Sequence, residues 1–315
     1  MKTRILIFSL LVMAFFGLSV SAVMAQDGLS FCYVIHSDPA GSFWNVATAG
    51  AQAAAAQVGA DLTAVGSLDP VQQAQFIEDC IAQGVDGLAV SLANPDALRD
   101  AVGHAVEAGI PVVTLNSGVD VFRELGAITH VGQTEFVAGQ GSGLRFNDMG
   151  VSHVLCVIHE EGNIGLEQRC DGVADSFSGT VDRFNVASTG VNDLAGTTST
   201  IQDKLTADSS IDAIITLNPD VGVAARDAIA AAGSSQVLAT FDLSPTILQA
   251  IVDGQVAFAI DQQQYLQGYL PIIFLNLYNV NANTVGGGLP VLTGPGFVDA
   301  SNAASVIALS AAGTR

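Results

Sequence analysis

From Leu29 onward, short apolar runs alternate with segments of helical length, and no other feature restricts the fold of this chain as strongly. Ser30 to His36 reads as a strand, Ser42 to Val58 as an alanine-rich helix, Asp61 to Val65 as a strand and Val71 to Gln83 as a helix. Gly87 to Ser91, Asp96 to Ala108 and Pro111 to Asn116 continue as strand, helix and strand. Gly59, Gly84 and Gly109 stand where a residue tolerant of the left-handed conformation ends a helix. Strands alternating with helices of this length build βαβ units around a parallel sheet.

The pattern then starts again. Thr134 to Asn147, Leu166 to Phe177, Gly196 to Ala207, Val221 to Ala232 and Pro245 to Val252 read as helices. Between them, Val151 to His159, Phe184 to Ser188, Ile211 to Leu217 and Val237 to Phe241 read as strands. No strong internal repeat relates the two series, but their similar length predicts an α/β chain of two doubly wound lobes.

Ahead of both series lies an export leader, residues 1–25. Lys2 and Arg4 precede an apolar run from Ile5 to Leu18, and small residues close the segment at Ala25. The run is short for a bilayer span. Phe31, before Cys32, disfavours lipid attachment at that cysteine. Beyond the leader, roughly 290 residues remain, enough for two lobes with their own cores.

The formal net charge of −20 disfavours nucleic acid and anionic lipid as partners. Cys32, Cys80, Cys156 and Cys170 would meet oxidising conditions outside the cytoplasm, and their spacing alone permits three pairings. Cys156-x-x-His159 lacks a second spaced ligand pair, so no metal is expected, and no cofactor either.

In open parallel sheets, ligands bind beyond the carboxyl ends of the strands. The residues there are His36-Ser37-Asp38, Gly66-Ser67-Leu68-Asp69, Asn94, Asn116-Ser117, His159-Glu160-Glu161, Asn192-Asp193, Asn218 and Asp242. Any one Asp or Asn could simply cap the following helix. Their accumulation in both series points to a polar ligand site between two lobes.

Several segments, in this order, resemble the ribose- and galactose-type periplasmic binding proteins. They are Asp38 with Phe43-Trp44, Ile110 to Asn116, His130 to Gln133, Gly162 with Arg169 and Gly172, Asn218-Pro219-Asp220, Phe241-Asp242 and Ile260 to Gln263. The resemblance implies two lobes joined by three crossovers, near Thr129–Val131, Ile260–Gln263 and Leu289–Leu292. The first lobe would then hold residues 26–130 and 263–290, and the second 131–262 and 291–315.

It also implies a ligand set. Phe43 and Trp44 match an aromatic pair that stacks on the apolar faces of a sugar ring. Arg169 matches a pocket arginine whose rigid fork holds adjacent oxygens. Asp38, Asp69, Asn218, Asp242, Asp261 and Gln262 match polar positions for hydroxyl groups. Asn116-Ser117 stands where an Asp-Arg pair is common, and Asn192 where an aromatic is common. Both departures point away from ribose itself. Cysteine pairing within lobes follows from the same register, with Cys156–Cys170 the favoured pair.

The implied role is a monomeric solute receptor, in the periplasm or on the outer face of the membrane. It would deliver a small sugar or polyol to an ABC transporter permease with its ATPase. Pentoses and hexoses come first, with cyclic polyols such as inositol and furanosyl molecules behind them. A sensor reporting a sugar-like signal to a membrane kinase or chemoreceptor is the alternative. A transcription regulator of this fold would need a DNA-binding helix pair where the leader stands. An enzyme is disfavoured because no Gly-x-Ser-x-Gly elbow is present, and Gly139-Gln-Gly141-Ser-Gly143 reads as tight helix packing.

Overall fold

A computed structural model describes residues 28–187 and 190–315, so the expected leader lies outside the described residues. The first series forms β1 (Ser30–Ile35), α1 (Ser42–Val58), β2 (Asp61–Gly66), α2 (Pro70–Gln83), β3 (Gly87–Ser91), α3 (Pro95–Glu107), β4 (Val112–Leu115) and β5 (Thr129–Gln133). The second forms α4 (Glu135–Met149), β6 (His153–Ile158), α5 (Ile164–Ser176), β7 (Thr180–Asn185), α6 (Leu194–Ala207), β8 (Ala213–Thr216), α7 (Pro219–Ala232), β9 (Val237–Phe241), α8 (Pro245–Val252) and β10 (Phe258–Asp261). The chain ends with α9 (Gln264–Asn281), β11 (Val291–Gly294), β12 (Gly296–Asp299) and α10 (Ala303–Ala311).

Two six-stranded sheets result, ordered β2-β1-β3-β4-β5-β11 and β7-β6-β8-β9-β10-β12. Every pair is parallel except β10–β12. Because side chains alternate across a strand, β1 sends Phe31, Tyr33 and Ile35 against α1 and α9, and Cys32 and Val34 against α2 and α3. β6 repeats the device. Val154, Cys156 and Ile158 meet α4 and α5, while Leu155 and Val157 meet the other face's helices. Burial on both faces explains why these strands read as continuous apolar runs. Each large side chain sealed there contributes about 1.5–3 kcal/mol.

Two helix pairs approach closely because glycine leaves room. A Cβ on Gly139 of α4 would overlap the Arg169 carbonyl oxygen, and one on Gly172 of α5 would overlap that of Phe136. Gly50 of α1 and Gly268 of α9 meet Tyr265 and Ala47 in the same way. The glycines from 139 to 143 therefore serve packing, in line with their helical setting. α9 contains the run from Tyr269 to Tyr278, and no described helix is long and apolar enough to cross a membrane.

Three expectations about boundaries shift. Residues 129–133 form a strand of the first sheet, so the first crossover falls after Gln133. β11 pairs with β5 and β12 with β10, which moves the third crossover to the Gly294-Pro295-Gly296 segment. The first lobe thus includes 131–133 and 291–294, which the family resemblance places in the second. Of the strand expected at Phe184 to Ser188, Ser188 lies outside the described residues, and the strand formed there runs from Thr180 to Asn185. It is a half-exposed edge strand with alternating polar residues, so the apolar signal marked only its end.

The structure pairs Cys32 with Cys80 and Cys156 with Cys170, each joining a lobe's first strand to a flanking helix. Peptide mapping without reductant should recover both linked pairs and no free thiol. Replacing Cys156 and Cys170 together by alanine should lower unfolding free energy by about 3 kcal/mol, as expected for a loop of about 15 residues. An unchanged denaturation midpoint would contradict this.

Candidate functional site

A cavity of about 280 Å³ lies between the lobes, beyond the carboxyl ends of strands from both sheets. From the first lobe, the loop after β1 and the start of α1 bring Asp38, Phe43 and Trp44, and the end of β4 brings Asn116. The second lobe brings Arg169 from α5, Asn192, Asn218 after β8 and Asp242 after β9, and Gln262 comes from the crossover after β10. Nine of the eleven expected positions therefore line one cavity.

Asp69 and Asp261 do not. Asp69 is exposed and caps α2, its Oδ1 accepting from the Val71 N–H at 2.9 Å. Asp261 is fully buried at the second crossover, where it accepts from the Gln263 N–H at 2.7 Å and from Arg315 Nη2 at 2.6 Å. Both carboxylates hold backbone in place. Asn218 combines two roles: its Oδ1 accepts from the Asp220 and Val221 N–H groups, yet the residue lines the cavity. Its amide nitrogen remains the group with donors to offer.

The aromatic wall is fixed edge to face. The Trp44 ring centroid lies 4.9 Å from that of Phe43 and 4.9 Å from that of His36. Both Phe43 and Trp44 are buried in the first lobe's core while touching the cavity, so neither is simply core.

Arg169 is sealed from water and held on several sides. Its Nε donates to Glu135 Oε2 at 2.6 Å and Nη2 to Oε1 at 3.1 Å, a bidentate ion pair. Nη1 donates to the Leu217 carbonyl at 3.1 Å, and the guanidinium carbon lies 4.4 Å from the centre of the Phe241 ring. These hydrogen bonds use three of its five N–H donors. Removing Arg169 would strand Glu135 as a buried charge, so the residue is structural as well as accessible to the cavity.

Asp242 adopts φ 70, a backbone conformation that turns the chain sharply after β9. Its Oδ1 accepts from Gln262 Nε2 at 2.6 Å, and Oδ2 lies 4.0 Å from Arg169 Nη1. Burial pushes its carboxyl up to about 7, against the opposing pull of Arg169 and Gln262. Asn116, at φ 60, donates from Nδ2 to Gln262 Oε1 at 3.3 Å and to Gln267 Oε1 at 3.1 Å.

Across the cavity mouth the lobes touch. Ile164 N–H donates to the Ala93 carbonyl at 3.1 Å, and Gln168 Nε2 donates to Asp120 Oδ2 at 2.7 Å. Asn163 Nδ2 donates to Glu160 Oε2 at 2.7 Å and to His36 Nε2 of the opposite lobe at 3.3 Å. His36 and His159 are both held down at about 3, by burial first and then by the positive charge of Arg169. Burial raises Glu160. Two functional residues, Asn163 and Glu135, escape the sequence pattern. Asn163 also caps α5, a position its place before that helix could have suggested, whereas nothing in the sequence links Glu135 to Arg169.

Two α/β lobes closing on a cavity walled by aromatic rings and amides define a receptor for a small polar solute. The model of the periplasmic binding protein domain matches residues 31–278, and the chain belongs to that family. The xylose/arabinose-binding protein of Sulfolobus acidocaldarius is 29% identical over 74% of this chain, which spans 61% of that relative's length. A ribose import binding protein of Haemophilus influenzae is 26% identical, with 82% of this chain and 87% of the relative aligned. The crystal structure of a carbohydrate transporter from Acidothermus cellulolyticus 11B in complex with myo-inositol is 41% identical, with a TM-score of 0.89. That match covers 91% of this chain and 100% of the other.

Because the Asp242 carboxyl titrates near 7 when folded and in the ordinary carboxylate range when unfolded, the folded chain binds the extra proton between those values. Its contribution to stability is full in acid and is lost as pH rises through about 7. The melting temperature of Asp242→Asn relative to the parent should therefore rise between pH 5 and pH 8 in ligand-free protein. A constant difference would contradict the assignment.

Proposed function

We propose that this chain captures a small polyhydroxylated ring, a monosaccharide or cyclitol, and presents it to an ABC transporter permease with its ATPase. The observation that carries this reading is the cavity of about 280 Å³ to which both lobes contribute, with Phe43 and Trp44 set among amide and carboxylate groups. A sugar ring has apolar C–H faces for the aromatic wall and a rim of hydroxyls for Asn116, Asn218, Asp242 and Gln262. The relatives that bind xylose, arabinose, ribose or myo-inositol by their descriptions support the same ligand class.

The polar groups explain how such a site would discriminate. Ser42 Oγ and His159 Nδ1 are buried without a hydrogen-bond partner among the described residues, and both residues line the cavity. Buried polar groups are normally paired, and a hydroxylated ligand supplies partners. A ligand lacking one of the required hydroxyls leaves a group unsatisfied, at about 1–3 kcal/mol each. Closure of the lobes about the ring then gives a monomeric receptor the shape a permease can recognise. The expected leader would place it outside the cytoplasmic membrane.

A thermal-shift screen of residues 26–315 against pentoses, hexoses and inositols tests this reading. A ring present at a hundred times its dissociation constant should add about 2.7 kcal/mol. Trp44→Ala and Asp242→Asn should each weaken binding at least tenfold, about 1.4 kcal/mol. Full affinity in both variants would retire the cavity as the binding site.

A further inference from the structure

The cleft continues past the ring pocket. A second chamber of about 190 Å³ shares His36, His159, Glu160, Asn163 and Asn192 with the first. It adds Asn94 and Ala93 from the loop after β3, and Glu161 from the loop after β6. The aromatic pair Phe43 and Trp44 and the cation Arg169 line only the first chamber.

The second chamber therefore carries charge of one sign. Its charged lining groups are the carboxylates Glu160 and Glu161. Its imidazoles, His36 and His159, remain neutral through the physiological range because both are buried. His159 Nε2 lies 3.6 Å from Glu160 Oε1, which favours the ring proton on that nitrogen. Nδ1 then presents a lone pair, and it is buried without a partner among the described residues. The two carboxylates and this nitrogen are acceptors, and no Lys or Arg stands among the described lining residues. Asp38 and Asp220 along the first chamber extend the same sign of charge. The positive charge of Arg169 is felt at His36, His159 and Glu160, but its guanidinium lines only the first chamber and is ion-paired with Glu135.

We infer that the second chamber is a subsite for a substituent on the captured ring, one that brings hydrogen-bond donors as hydroxyl or ammonium groups, and that it turns away phosphate and carboxylate. The inference rests on the ring-capture reading. A donor-bearing substituent gives His159 Nδ1 its missing partner and meets the carboxylates favourably. An anion meets Glu160 and Glu161 at close quarters and finds no positive side chain among the described residues of the chamber wall. Substituted sugars and cyclitols that are neutral or cationic are thus the ligand class, and their phosphate esters are excluded.

Isothermal titration of residues 26–315 tests this with D-ribose, D-xylose, D-glucose and myo-inositol. Each is compared with a glycosyl or methyl derivative, an amino-substituted derivative and a phosphate monoester at matched ring positions. For the ring that binds, the neutral or amino derivative at one position should hold within threefold of the parent ring or better. The phosphate at that position should bind at least tenfold more weakly. Glu160→Gln should narrow that gap at least threefold.

Asn94→Phe is an independent second variant, because Asn94 lines only the second chamber and its side chain makes no cap bond to α3. It should weaken the substituted ring at least fivefold while leaving the unsubstituted ring within twofold. Equal affinity for phosphate and amino derivatives would overturn the subsite, as would a substituted ring indifferent to Asn94→Phe. If no unsubstituted ring binds, the ring-capture reading itself fails and the subsite with it.

Discussion

The Arg169–Glu135 ion pair holds the floor of the cleft together. Glu135 opens α4 directly after the first crossover, so its position fixes where the chain enters the second lobe. Its carboxylate also accepts from Gln133 Nε2 at 2.8 Å, on the other side of that crossover. Arg169 rises from α5, packs its guanidinium over Phe241 of β9 and donates to the backbone at the end of β8. A buried pair of this kind contributes little net stability, but losing one partner costs about 3–5 kcal/mol. Close approach of α4 and α5 at Gly139 and Gly172 is what lets the two side chains meet out of water.

From that floor, a chain of amides leads to the hinge. Asp242 accepts from Gln262, which sits on the second crossover, and Gln262 accepts from both Asn116 and Gln267. Gln267 is fully buried and donates in addition to Thr293 Oγ1 at 3.2 Å, beside the third crossover. Cavity and hinge thus share one hydrogen-bond network. A ligand engaging Asp242 or Asn116 would act on groups that also hold the connecting segments.

Much of this was legible in the sequence because parallel strands buried on both faces write continuous apolar runs. β3, β9, α1 and α8 fall where the pattern placed them. β5 escaped because its Thr129, His130 and Gln133 look like surface residues, although all five residues of the strand are buried. β7 escaped for the opposite reason, being half exposed at a sheet edge. Strand-end Asp and Asn residues marked the cleft as a group but not one by one. Asp69 caps a helix and Asp242 faces the cavity, and both directly follow strand-derived segments; only the fold around them separates the two roles. Glu135 illustrates the remaining limit, since its significance comes from a partner 34 positions away.

The placement of the disulfides carries a mechanical consequence. Each cystine stiffens one jaw internally, and neither spans the connecting strands. Oxidation therefore hardens the two halves without restricting the swing between them. The bite of the molecule is left to weak, reversible contacts at its rim.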